Sequence, residues 1–153
     1  MDAEIEELLT TVRHLKDRQD ILDCIQRESR ARDRQDTEQI VGCWWEDGID
    51  EHGAITTGMP DYPARANLGH QMNFHMTSHN ITNHLCDIDG DTAHCESYVV
   101  GGLSWLHGDK TTIARGRYLD RLEKRGGEWR MRVRRGTIAM TGASGVRWAK
   151  SQE

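Results

Sequence analysis

Residues 74–91 read F-H-M-T-S-H-N-I-T-N-H-L-C-D-I-D-G-D, and three changes of conformation are written into them. A helical pattern carrying Ala64, Leu68, Met72 and His75 on one side stops here, and a strand begins. The strand then ends in Asp89-Gly90-Asp91, a hairpin turn signal. His75 and His79 straddle the helix-to-strand junction. From His79 onward, strict alternation puts His79, Ile81, Asn83 and Leu85 on a single strand face. A mostly apolar face led by an imidazole is either the wall of a cavity or a core face whose edge histidine meets water.

Outward from this stretch, everything downstream reads as β. Segment 79–88 pairs through its turn with 92–105, followed by strands at 110–123 and 129–141, with Gly126-Gly127 in the turn between the last two. Upstream the chain is helical. Ile5, Leu8, Leu9, Val12 and Leu15 recur at helical spacing, and the phase resumes at Ile21, Leu22 and Ile25. That apolar face passes Ser29 and reaches Arg32 and Asp33. Asp33 is then either a carboxylate on the buried side of a helix end, where burial and the helix dipole both oppose its charge, or a turn residue beyond the helix. Asp36 with Gln39 three residues on is a capping-box-like start for a short helix carrying Ile40, Val41, Trp44 and Trp45. A strand is expected around Ile49, then a Gly-Met-Pro loop at 58–60, and Pro63 opens the third helix. Helices followed by antiparallel strands make the fold α+β, with a curved sheet over the N-terminal helices.

Length and composition narrow the rest. The 153 residues suit one domain, with a polar tail from Gly142 to Glu153. Net charge is −5, which speaks against a nucleic-acid partner despite Arg130, Arg132 and Arg134 alternating along the last strand. No apolar run is long enough to span a bilayer, so no membrane partner is expected. The acidic, amphipathic start M-D-A-E-I-E-E-L-L is unlike a signal peptide. Cys24, Cys43, Cys86 and Cys95 form no C-x-x-C pair, so neither a disulfide framework nor a zinc site is expected. A reducing, cytoplasmic setting follows. His94 and Glu96 share a strand face in an H-x-E arrangement, but a facial metal triad would need a second histidine that only His107 could supply. Asp50 and His52 also share a strand face and either extend a site or form an exposed pair.

The motifs R-A-R-D-R-Q-D (30–36), W-E-D-G-I-D-E-H-G (45–53), H-x-x-x-H-x-x-x-N (75–83), I-D-G-D-T-A (88–93), G-R-Y-L-D-R-L-E (116–123) and G-E-W-R-M-R-V-R-R (127–135) occur in this order. Over residues 18–141 the chain resembles the SnoaL-like branch of the nuclear-transport-factor-two-like superfamily. That resemblance implies a conical, strongly bent sheet wrapped on helices (a cystatin-like α+β barrel) with a deep apolar pocket. It includes dehydrochlorinases, dehydratases and polyketide cyclases that work without a cofactor. In the eliminating members an aspartate near the end of the first helix pairs with a histidine at the start of a strand, and these positions fall on Asp33 and His79. Such a histidine removes a proton from an activated carbon, while the carboxylate fixes its tautomer.

The resemblance also implies a lysine or tyrosine five residues before the aspartate. Glu28 stands there instead, either as a general acid with a raised pKa or as a surface residue. The family's last-strand arginine falls on Arg134, although strict alternation from Trp129, Met131 and Val133 points Arg135 inward unless a bulge intervenes. Asn83 is placed to orient a substrate oxygen, or to make a cross-strand hydrogen bond. Trp44 and Trp45 stand where relatives have pocket or core aromatics, with Trp45 as the pocket candidate. The resemblance thus implies a lyase without cofactor or metal acting on a small apolar cyclic substrate. Its alternatives are a non-catalytic ligand-binding or assembly module, a steroid-type isomerase or a polyketide cyclase. A homo-oligomer, a trimer in preference to a dimer, is implied as well.

Overall fold

The structure is a computed structural model and describes residues 2–141. Its first element, α1 (Ala3–Arg34), is a single helix. Asp2 caps its N-terminus, Glu4 and Glu6 sit at its positive end, and Gln35 closes it in the left-handed conformation. Ile21, Cys24, Ile25, Glu28 and Arg32 are buried, whereas Ile5, Leu8, Leu9, Val12 and Leu15 are exposed. The apolar periodicity is therefore continuous, but only the C-terminal half of α1 is covered. The helix α2 (Thr37–Gly42) is capped by Asp36, whose carboxylate accepts from the Gln39 amide at 3.0 Å. It ends before the tryptophans: Trp44 and Trp45 open strand β1 (Trp44–His52).

A short strand β2 (Ile55–Gly58) occupies part of the expected loop and pairs back on β1. Helix α3 (Asp61–Asn73) follows and buries Tyr62, Pro63 and Asn67, leaving Leu68 and Met72 exposed. The remaining strands are β3 (Phe74–Asp89), β4 (Thr92–Trp105), β5 (Thr111–Arg125) and β6 (Glu128–Thr141). His75 belongs to β3 and not to the helix, so the helix ends two residues earlier than its apolar pattern suggests.

These six strands form one sheet in the order β2-β1-β6-β5-β4-β3. Neighbours are antiparallel except β1 and β6, which run parallel. The sheet is open, with β2 and β3 at its edges, and does not close into a barrel. The helix α1 packs on β3 and β6. Ile21, Ile25, Ile40, Trp44, Leu122, Trp129 and Met131 build the core between helix and sheet. The expected tail at 142–153 lies outside the described residues.

Two bulges set which side chains face inward. In β3 the pairing shifts between Thr82 and Leu85, and Asn83 takes φ 46°. The inward series is therefore His79, Ile81, His84, Cys86 and Ile88, and Leu85 is turned out to 71 % exposure. In β6 the register skips Arg132, since Leu122 pairs with Met131 and Arg121 with Val133. That extra residue reverses the alternation, burying Arg134 and exposing Arg135.

Candidate active site

The last turn of α1 meets the start of β3 at Asp33 and His79. The Asp33 carboxylate accepts from His79 Nδ1 at 2.6 Å, from the His79 backbone amide at 2.8 Å and from Thr77 Oγ1 at 2.9 Å. A carboxylate can only accept, so the Nδ1 carries the proton and the lone pair sits on Nε2. Burial works against the charge of Asp33, but the hydrogen bonds and the neighbouring imidazole win and hold its carboxyl below the usual range. Burial likewise pushes His79 down, and Asp33 only partly restores it, so the pKa stays below that of a free imidazole. At neutral pH the pair is thus a carboxylate and a neutral imidazole, the protonation states a general base needs.

His79 lines a cavity of about 360 Å³ whose walls include Phe74, Val99, Leu103 and Ala114, with Arg32, His52 and His70 as its other polar side chains. His70, from α3, stacks on His79 with ring centroids 5.7 Å apart and planes 2° from parallel. Burial and then the Arg32 charge push its pKa down to about 4, so it too is neutral. His52, at the end of β1, leans its Nδ1 on Asp50 at 3.3 Å. Gly136 on the adjacent strand makes room for this ring, since a Cβ there would lie 3.1 Å from His52 Cε1.

Other expected site residues stand elsewhere. Arg134 is fully buried behind the cavity, where Nε and Nη2 bind Asp120 at 2.8 and 2.9 Å and Nη1 reaches Glu28. Its guanidinium also lies 4.1 Å from the Tyr118 ring centroid. Glu28 is neither exposed nor an acid. Burial raises its pKa, but Arg134 and Arg32, with hydrogen bonds from Tyr62 and Arg134, overcome that and keep it ionised. Neither Glu28 nor Arg134 lines the cavity. Asn83, at the β3 bulge, borders an outer-face groove with Tyr98, Val100 and Arg117. Trp45 is outside the cavity as well. Its indole donates to the Glu123 carbonyl at 2.9 Å, and the guanidinium groups of Arg125 and Arg130 lie about 5 Å from its ring.

Arg32, His70 and the Asp50–His52 pair were not placed in the site by the alternation around His79. A signal for Arg32 existed, because Ile21, Ile25, Glu28 and Arg32 follow one another at four, three and four residues, a single helix stripe. His70 and His52 are brought in by tertiary packing. His94 is exposed, and Glu96 pairs with Arg117 at 3.3 Å, so the H-x-E face does not assemble a metal triad. Among the described residues, His84, Cys86 and Cys95 have donor atoms within 4.8 Å of one another and form the one group able to hold a metal ion. The cysteines are cross-strand neighbours made possible by the β3 bulge, and all four cysteines are free thiols.

A SnoaL-like domain matches residues 13–135. The chain belongs to the SnoaL-like family. Its fold is similar to that of the crystal structure of LinA, with TM-score 0.81, 22 % identity and coverage of 91 % of this chain and 97 % of the other. A putative scytalone dehydratase from Novosphingobium aromaticivorans gives TM-score 0.80 and 22 % identity over 94 % and 99 % of the two chains. The hexachlorocyclohexane dehydrochlorinase LinA-type3 from Novosphingobium barchaimii gives 0.79 and 19 % over 91 % and 98 %. No curated protein matches this chain. At these identities the likeness establishes the shared fold.

Proposed function

We propose that this SnoaL-like protein is a cofactor-independent lyase that eliminates water or a hydrogen halide from a small cyclic substrate. The observation that carries this reading is the 2.6 Å contact from Asp33 to His79 Nδ1 on the wall of an apolar cavity. His79 Nε2 takes a proton from a carbon next to an activating group. The C–H electron pair becomes the new double bond, and the leaving group departs with its own bonding pair. Asp33 stabilises the imidazolium that forms. General-base assistance of this kind contributes on the order of 100- to 10,000-fold in rate. His52 opens on the same cavity and is placed to pass a proton to the departing group. Arg134 and Glu28 serve the site by holding its floor in place. The neighbours named as a dehydrochlorinase and a putative dehydratase support elimination over other proton transfers. The family resemblance, and not the chemistry, is what supports a homo-oligomer assembled through the outer sheet face.

The test begins with the imidazole. NMR titration of His79 in the wild type and in Asp33→Asn is expected to show a fall of a unit or more, a coupling of about 1.4 kcal/mol. An unmoved pKa would break the pair and with it the mechanism. Incubation with chlorinated cyclohexanes and cyclic β-hydroxy ketones, read by mass spectrometry for lost hydrogen chloride or water, then identifies the leaving group. Turnover there should drop by about 100-fold or more in His79→Ala.

A further inference from the structure

The guanidinium of Arg32 is underused as a hydrogen-bond donor. Arg32 is 5 % exposed and borders the cavity beside His79. A guanidinium carries five N–H donors, and burying them unpaired is costly. Among the described residues its one hydrogen bond runs from Nη1 to the Tyr118 hydroxyl at a long 3.4 Å, and its buried Nε has no partner. None of the nearby carboxylates accepts from it. Glu28 comes only to 3.9 Å from Nε, because its two oxygens take Tyr62 at 2.8 Å and Arg134 at 2.5 Å. Asp33 holds His79 and Thr77, and Asp50 turns Oδ1 to His52, while its Oδ2 has no hydrogen-bond partner among the described residues and takes none from Arg32. The protein thus holds the charge of Arg32 in place, near Glu28, without satisfying its hydrogen bonds.

We infer that Arg32 recognises a carboxylate on the substrate, so that the ligand of this cavity is a small hydrophobic carboxylic acid in its ionised form. The inference rests on the elimination reading for the position of the reacting carbon at His79, but its recognition element is separate. A carboxylate would take up donors of the terminal guanidinium nitrogens, while the fully buried Nε stays beside Glu28. A phosphate dianion fits less well, since Arg32 is the cavity's one guanidinium and burial keeps His70 and His79 uncharged. Phe74, Val99, Leu103 and Ala114 then receive the apolar skeleton.

The probes are cyclohexanecarboxylate, its neutral isostere cyclohexanecarboxamide, and cyclohexyl phosphate, titrated calorimetrically into wild type, Arg32→Met, Arg32→Lys and His79→Gln. The carboxylate is expected to bind the wild type at least about tenfold more tightly than either other probe. Arg32→Met should abolish that preference, Arg32→Lys should keep part of it, and His79→Gln should leave it in place. Equal binding of acid and amide, no binding of the acid, or an intact preference in folded Arg32→Met would overturn the inference. Tighter binding of the phosphate would replace the carboxylate by another anion and overturn it too. Should Arg32→Met not fold, the wild-type comparison and Arg32→Lys still decide. Failure of the elimination reading would appear separately, as no loss of hydrogen chloride or water from chlorinated cyclohexanes and cyclic β-hydroxy ketones, with the carboxylate preference unaffected.

Discussion

At the scale of single residues, charge is distributed between two tasks. Asp33 and His79 hold the protonation states of a base at the cavity wall, and Glu28, Asp120 and Arg134 form a buried network behind it. Removing one partner of such a network strands the others. Arg134→Met is therefore expected to destabilise the fold by roughly 3–5 kcal/mol, read from urea denaturation, because Asp120 loses both of its hydrogen-bond donors. A loss below about 1 kcal/mol would mean the network is not buried as described. His70 supplies a pH test. Its folded pKa, about 4, lies below its ordinary value of 6.5. Between those values the unfolded chain binds a proton that the native one refuses, so stability is full above about pH 6.5 and declines as the pH falls toward about 4. Melting temperatures across that range should decline less steeply in His70→Phe than in the wild type. Parallel declines would remove His70 from the cavity.

At the scale of elements, what could be read in the sequence was what local periodicity controls. The phase of α1 reached Asp33 with a turn residue as its alternative, the family resemblance paired it with His79, and the turn at Asp89–Asp91 gave the hairpin. Alternation failed wherever a bulge inserts one residue, because every later side chain then changes face. That is why Leu85 and Asn83 leave the inner face, and why Arg134 points inward where alternation chose Arg135. His70 was illegible as a site residue for a different reason, since only packing of α3 brings it beside His79, and His52 was legible only as one of two alternatives until the packing of β1 put it on the cavity. Asn83 has a role of its own in this geometry. Its φ of 46° lies in the left-handed region, which costs most side chains about 1–2 kcal/mol. Asn83→Gly should leave thermal stability nearly unchanged, and Asn83→Val should lower it by about that cost. Equal effects from the two would mean that the bulge does not select its residue.

At the scale of the whole molecule, the sheet has one covered face and one bare one. The inner face packs on α1 and encloses the cavity, whereas the outer face exposes Leu85 at 71 %, Tyr98 at 46 % and Val100 at 38 %. Arg115 and Arg117 border the groove beside Tyr98 and Val100. A bare apolar surface with a charged rim suits the subunit interface proposed above. Its position on the sheet's back leaves the cavity free in each copy. The bulge at Asn83 connects the two faces: the register shift that turns His84 and Cys86 inward is the one that delivers Leu85 to the surface. Sedimentation equilibrium at micromolar concentration is expected to give a mass of three times the 17.5 kDa chain. Leu85→Glu, which places a charge in the apolar patch without touching the inner face, should shift the protein toward the single-chain mass while the Asp33–His79 coupling persists by NMR. A wild-type protein that stays monomeric under these conditions would assign the outer face to a different partner.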